Sequence, residues 1–357
     1  MKILIFGAGP LGSLYAARLI EAGHDVSLLA RGQRLKDLQE QGIIIENAVT
    51  GEQEQTPVNT VEALMPDDDY ELVMVVMRKN QALQILPTLS ANTVVPTYLF
   101  LMNDMAGPGL KLKAIGSSRL MRGFPLPGGM RDGKVIRVVP EINNQPWEIP
   151  IGEVDGQITK RTRRVAAVLE SMRGFKVDIR TDMDAWLKYH AALVVPIATA
   201  YYAAGAEKDR FLGSRDAMVL GLRAQIEALR SLRKAGIKPT PRAVRMLEWI
   251  PEPLALKIVR WFFGLEQFEV SLIGHADSAV DEMQHIYEEM LAFFEEREIE
   301  TPVLKSLYKY YEPNQERIPE GSTRVALDWR GVIIPGAILL GLAIIGKLVK
   351  KKCARCK

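Results

Sequence analysis

Apolar positions near the start of the chain follow two periods. Ile3, Leu4, Ile5 and Phe6 form an unbroken run, as in a strand buried on both faces; Leu11, Leu14, Tyr15 and Leu19 then recur at helical spacing around Arg18, and Asp25 to Ala30 reads as a second strand. Strand-like runs continue at 42–46, 70–77, 93–101, 119–124, 134–139 and 147–151, with helical patterns between several of them. From about Thr159 the period changes. The stretches 159–173, 182–204, 213–235, 240–248, 252–263, 267–296 and 302–311 all read as helix. The pattern predicts an α/β domain over residues 1–158 and an all-helical domain over 159–320, with a substrate site in the cleft between them.

The turn between the first strand and helix sharpens that picture. Gly7-Ala8-Gly9-Pro10-Leu11-Gly12 has the G-x-G-x-x-G spacing of a Rossmann dinucleotide-binding loop. Gly7 suits the tight turn, Gly9 lets the backbone approach a pyrophosphate, and Gly12 allows close packing of helix on strand. The phosphates would rest on the open amides of the helix N-terminus. Such a loop alone is also compatible with a plain turn, but the strand before it, the helix after it and the second strand supply the expected context. The second strand ends in Ala30-Arg31-Gly32-Gln33-Arg34 rather than in a carboxylate, and Asp25 comes too early to hold a ribose hydroxyl. Arg31 and Arg34 therefore point to the 2'-phosphate of NADPH, unless they are ordinary solvated charges.

Composition changes the picture mainly at the end of the chain. The 357 residues are 48% hydrophobic and 25% charged, as in a folded protein of two domains. No leader-like apolar segment precedes the first strand, and both cysteines, Cys353 and Cys356, lie in the last five residues; a cytoplasmic body in a reducing compartment is the expectation. Net charge is +3, but residues 347–357 hold six Lys and Arg and no acid, which leaves the rest at about −3 and offers no nucleic-acid face. Sixteen uncharged residues, 331–346, precede that basic tail. As a helix, 331–349 would reach about 28 Å, enough to engage a bilayer core. We expect a membrane-associating helix over 329–350, anchored by Trp329, with a basic tail 351–357; a core helix or an oligomer contact is the alternative. A simple span from the cytosol would place the lysines against the positive-inside bias, so a helix lying in the interface is equally compatible.

Several blocks beyond the glycine loop carry a resemblance over about residues 1–312: MNDM, LMRGFPLPGGMRDGKVIRV, IGEVDG, AWLKYHAALVVP and DEMQHIYEEMLAFFEEREIETP. Together with GAGPLGSLYAARLIEAGHDVSLLARGQRL they resemble the ketopantoate reductase (2-dehydropantoate 2-reductase) family, whose second domain is of the 6-phosphogluconate dehydrogenase C-terminal type. The resemblance implies NADPH-dependent reduction of a 2-oxo acid. Lys188 in AWLKYHAA matches the family's general acid, Glu282 in DEMQHIYEE the glutamate that positions substrate and lysine, and Asn103 in MNDM an asparagine beside the nicotinamide. Arg78, in VVMRKNQ, replaces a family lysine near the cofactor. Other family polar positions are changed: asparagines are replaced by Ala192, Val195 and Tyr287, and a serine by Val270, with Ser271 one residue on. A bulkier or more apolar carbonyl substrate is therefore expected. The histidines, His190, His275 and His285 among them, lack metal-ligand spacing and read as structural. Two functions stay open: a carbonyl reductase using Lys188, and a membrane-attached NADPH-binding protein without turnover. A homodimer is compatible with either.

Overall fold

A computed structural model describes residues 1–139, 145–265 and 279–329. Its N-terminal part is built on an eight-stranded sheet in the order β12-β11-β8-β7-β6-β1-β2-β5. The strands are β1 (Lys2–Phe6), β2 (Asp25–Leu29), β5 (Asn59–Val61), β6 (Leu72–Val75), β7 (Tyr98–Leu101), β8 (Leu120–Gly123), β11 (Trp147–Glu153) and β12 (Phe175–Ile179). All pair in parallel except β11 with β8. β1 is central, with parallel neighbours on both sides, and Ile3, Leu4 and Ile5 have no exposed surface; this is why its sequence is an apolar run without alternation.

From β1 the chain builds outward to β2 and β5, then returns to the other side of β1 with β6. The strand order reverses between β1 and β6, and crevices that take ligands open at the carboxyl ends of strands at such a switch point. Helix α1 (Pro10–Glu21) starts there, with Gly9 as N-cap and Pro10 in its first turn. A second sheet, β4-β3-β10-β9, lies beside α1 and consists of β3 (Ile43–Asn47), β4 (Gln53–Thr56), β9 (Gly129–Asp132) and β10 (Val135–Val138). Tyr15 of α1 fixes the loop before β9, its hydroxyl donating to the Leu126 carbonyl at 2.7 Å and accepting from the Leu126 amide at 2.8 Å.

The sheet runs on past residue 158. α6 (Lys160–Glu170), capped by Thr159, packs on β12, the edge strand, and the purely helical part begins only at α7 (Met183–Ala203). α7 packs along α9 (Arg215–Lys234), where Ala200 meets Gly221 closely enough that a Cβ on the glycine would lie 2.6 Å from the alanine methyl. α8 (Lys208–Gly213), a 3-10 helix (Arg242–Trp249), α10 (Glu252–Phe263), α11 (Val280–Glu295) and α12 (Pro302–Tyr308) complete it. The segment 267–296 expected as one helix is described only from residue 279, the N-cap of α11. Val270, Ser271, His275, Cys353, Cys356 and the apolar stretch 331–349 lie outside the described residues. Among the described residues no helix is long and apolar enough to cross a membrane.

Three glycines of the loop respond differently to an added methyl. A Cβ at Gly12 would lie 1.9 Å from the Gly7 carbonyl oxygen, and Gly7 (φ +122°) could not hold a side chain either, whereas a Cβ at Gly9 meets nothing within 4 Å. Gly12→Ala is expected to destabilise the fold by about 1–3 kcal/mol or more. Gly9→Ala should change stability by less than about 1 kcal/mol. Urea denaturation of the two variants checks this; equal losses would contradict the packing assigned to the loop.

Candidate active site

The candidate residues of the N-terminal part sit at the carboxyl ends of strands around the switch point, whereas Lys188 and Glu282 come from the helices α7 and α11. The glycine loop follows β1, Arg31 follows β2, Arg78 follows β6 and Asn103 follows β7. Gly9 leaves its side open, Pro10 and Leu11 begin α1, and the first-turn amides have no side-chain cap, so the loop fits a pyrophosphate. Asn103 is 7% exposed, and its Oδ1 is buried with no hydrogen-bond partner among the described residues. A buried orphan acceptor at a strand end calls for a donor that the described protein does not supply.

The two arginines after β2 part company. Arg31 is exposed at the N-cap of α2 (Gly32–Gln41), its Nε donating to the Glu62 carbonyl at 3.2 Å. Arg34 is turned inward instead of toward a 2'-phosphate: it donates to the carbonyls of Ala8 at 3.3 Å and Lys134 at 3.2 Å and to Ser13 Oγ at 3.0 Å. Its 8% exposure makes it a brace for the glycine loop. A charge pattern in sequence gives no direction, and here the carbonyls of Ala8 and Lys134 and the Ser13 hydroxyl take up the guanidinium.

Lys188 lies on α7, 4% exposed, with Nζ 2.6 Å from Asp184 Oδ2 one helical turn earlier and 5.6 Å from the Phe293 ring centre. Asp184 Oδ1 accepts from Arg122 Nη1 at 2.8 Å, and Arg122 Nη2 reaches Asp104 Oδ2 at 2.9 Å. Asp104, next to Asn103, also pairs with Lys111 at 2.9 Å and Lys79 at 2.6 Å. Lys79 Nζ continues to Glu289 Oε2 at 2.5 Å on α11, and the Lys79 amide donates to Glu282 Oε1 at 3.1 Å. A largely buried chain of ion pairs thereby crosses from the strand ends to the helices, with Lys188 at one end, Asn103 beside Asp104 in sequence, and Glu282 joined to it through the Lys79 amide. Arg78 and Asn80 reinforce the crossing by holding Asp281, at 2.8 and 2.7 Å.

Sequence reading missed most of this chain: Asp104, Lys111, Arg122, Asp184 and Glu289. One signal was available, since Arg122 is a charge in the otherwise apolar strand β8, which is fully buried. Of the substituted family positions, Ala192, Val195 and Tyr287 are buried in the helical core, and the Tyr287 hydroxyl donates to the Leu304 carbonyl at 2.8 Å. His190 is packed between Phe124 and Trp186, with ring centres 3.9 and 5.1 Å away.

The ion chain sets the protonation of its members. Burial alone would raise the Asp104 carboxyl, but Lys111, Lys79 and Arg122 outweigh it and hold the group well below the usual carboxylate range. Asp184, likewise pushed up by burial, is kept low by Lys188 and Arg122. Burial pushes the Lys188 ammonium below the ordinary lysine range, and Asp184 opposes it.

Known proteins share both the motif and the fold. Residues 3–121 match the family described as ketopantoate reductase PanE/ApbA. The matched stretch holds the glycine loop and the strands on either side of the switch point. A 2-dehydropantoate 2-reductase of Mesorhizobium japonicum is 31% identical over 216 residues, which cover 53% of this chain and 63% of that relative. The chain thus matches less than two thirds of that relative's length. In fold, the 2-dehydropantoate 2-reductase of Geobacter metallireducens superposes with a TM-score of 0.72 at 17% identity, covering 88% of this chain and all (100%) of the other. A D-mandelate dehydrogenase solved with NADH and anilino(oxo)acetate gives 0.69 at 13% identity, over 87% of this chain and 97% of its own. The fold is therefore a Rossmann domain followed by helices in the ketopantoate reductase arrangement.

Removing the carboxylate that gathers three buried cations should be costly. Asp104→Asn is expected to destabilise the protein by about 3–5 kcal/mol, because Lys111 loses its carboxylate partner and Lys79 and Arg122 each lose one of two while all three stay buried. Because the folded pKa lies below the ordinary aspartate value of about 3.9, the carboxylate's contribution is complete above that value and is lost as pH falls toward the folded one. Urea titrations of wild type and variant at neutral and acid pH check both points. A variant as stable as wild type would contradict the account.

Proposed function

We propose that the protein is an NADPH-dependent reductase of a 2-oxo acid or related carbonyl compound, with Lys188 as general acid. The observation that carries this reading is the buried Lys188 ammonium, held by Asp184 and lying close to Gly107 in the loop that follows Asn103. When bound, the nicotinamide nucleotide would supply a hydride to the carbonyl carbon. Lys188 Nζ would give its proton to the carbonyl oxygen, and its positive charge would stabilise the negative charge growing there. Asp184 keeps the ammonium protonated and fixes its direction along α7. Asn103 offers its unpaired Oδ1 and its side-chain amide to cofactor and substrate, and Glu282 presents a buried carboxylate to a substrate hydroxyl from the helical side.

Three features support a pyridine nucleotide as the cofactor: the open Gly9, the uncapped start of α1, and relatives named as 2-dehydropantoate 2-reductases or solved with NADH. Preference for the phosphorylated form rests on Arg31, exposed where β2 ends without a carboxylate, since Arg34 is engaged with the loop itself. Membrane association through 331–349 of a cytoplasmic body belongs to this reading on sequence alone.

Cofactor fluorescence of the full chain, titrated with NADPH and NADH and then mixed with ketopantoate and other 2-oxo acids, tests the reading. NADPH should bind more tightly and be oxidised by at least one 2-oxo acid. Lys188→Ala should slow turnover by about 10²–10⁴-fold and leave NADPH binding intact; unchanged turnover would remove the assigned role. Arg31→Ala should weaken NADPH roughly tenfold, the size of one charge-assisted hydrogen bond, without affecting NADH. Equal losses for both nucleotides would place the 2'-phosphate elsewhere.

A further inference from the structure

One surface far along the chain from the ion cluster is apolar on a scale that packing within the fold does not require. α10 is apolar on two faces. Leu256, Val259 and Phe263 pack toward the helical core, and the Phe263 ring meets Phe211 edge-on at 5.3 Å. The opposite stripe, Leu254, Ile258 and Trp261 at i, i+4 and i+7, points outward with 50%, 43% and 65% exposure. The preceding 3-10 helix adds Met246 and Trp249, 69% and 78% exposed, and between the two helices lies a groove of about 880 Å3. Two tryptophans held this far into water within 13 residues mark an interaction face rather than scattered surface apolar residues.

Charge identifies what the face fits. From Lys238 to Trp261 there are five cations and two acids. Both acids are occupied from the core side: Glu248 pairs with Arg233 at 2.6 Å, and Glu252 with Arg223 at 2.7 Å. Arg242, Arg245 and Lys257 are exposed around the apolar stripe. A second copy docked about a twofold axis would set this basic rim against itself. The uncharged stretch 331–346 could cover the stripe but could not answer the arginines. An anionic lipid surface answers both: tryptophan and leucine enter the headgroup boundary while arginine and lysine meet phosphate.

The end of the described chain lies at the same place. The Asp328 amide donates to Glu252 Oε1 at 2.8 Å, and the Ala326 carbonyl accepts from Arg223 Nη2 at 2.6 Å, so Trp329, half exposed, sits by the N-terminus of α10. The apolar run 331–346 begins two residues later in sequence. We propose that the face formed by the 3-10 helix and α10 lies on an anionic phospholipid bilayer, as a second membrane contact on the folded body next to the point from which the apolar tail leaves. It does not rest on the reductase reading.

The test uses the full chain with vesicles of phosphatidylcholine and phosphatidylglycerol in which part of the phosphatidylcholine is brominated. Trp249 and Trp261 should be quenched by the bromines, so that the Trp249→Phe, Trp261→Phe double variant loses most of the quenching and retains only that from Trp329. Arg242→Gln with Arg245→Gln should reduce quenching on the phosphatidylglycerol vesicles and leave it unchanged on phosphatidylcholine alone. Three results would overturn the proposal. Quenching unchanged in the tryptophan double variant would leave the tail as the sole contact. Tryptophans already shielded from acrylamide without lipid would mean that the chain covers its own face. A dimer dissociated by Trp249→Ser, with no lipid quenching, would assign the face to a second copy.

Discussion

Asp104 has 1% of its surface exposed and three cations within 3 Å of its carboxylate, and much of the site depends on that arrangement. Ions removed from water are tolerable only when each is paired and hydrogen-bonded, so Lys79, Lys111 and Arg122 cannot relax independently of one another. The spare valences of two of them point across to the helices. Arg122 reaches Asp184 and Lys79 reaches Glu289, so the carboxylate at the end of β7 fixes where α7 and α11 stand relative to the strand ends.

That constraint determines what Lys188 can do. Burial of Lys188 to 4% exposure pushes its ammonium below the ordinary lysine range, and the Asp184 carboxylate, one helical turn earlier, opposes that shift and holds Nζ at 2.6 Å. Asp184 is in turn held by Arg122, whose second nitrogen is held by Asp104. The Lys188 ammonium stands at the end of an alternating row of four charges, Lys188, Asp184, Arg122 and Asp104, which under the proposed reading would hold it in place before substrate arrives.

How much of this was legible depended on whether the signal was local. The glycine loop was, because strand, turn and helix are contiguous, and Gly7 and Gly12 proved to be pressed against backbone as their positions implied. Most of the described helices after residue 180 were legible from period; α8 (Lys208–Gly213), in the gap between two read stretches, was not, and 240–248 proved to be a 3-10 helix. β4 was not, since Gln53–Thr56 is a wholly polar edge strand, and β12 was hidden by lying between two helical stretches. The pairing of β3 with β10 joins residues about ninety apart and leaves no trace in either segment. The ion chain escaped for the same reason: its members come from positions 79, 104, 111, 122, 184 and 289, and all but Arg122, a charge within an apolar strand, resemble solvated charges when read alone. Arg34 shows the converse, a charge read as facing ligand that faces the loop's own carbonyls.

The central claim is that Asp184 and the charges behind it keep Lys188 an acid. The most direct measurement is the pH dependence of kcat/KM for NADPH oxidation by a 2-oxo acid, compared between the wild type and Asp184→Asn. Protonated Lys188 is the active form, so the rate should fall as pH rises through its lowered pKa. Loss of the carboxylate lowers that pKa further, and the alkaline limb of the variant should move to lower pH. A limb at the same pH in both proteins, or a rate that rises with pH, would contradict the account.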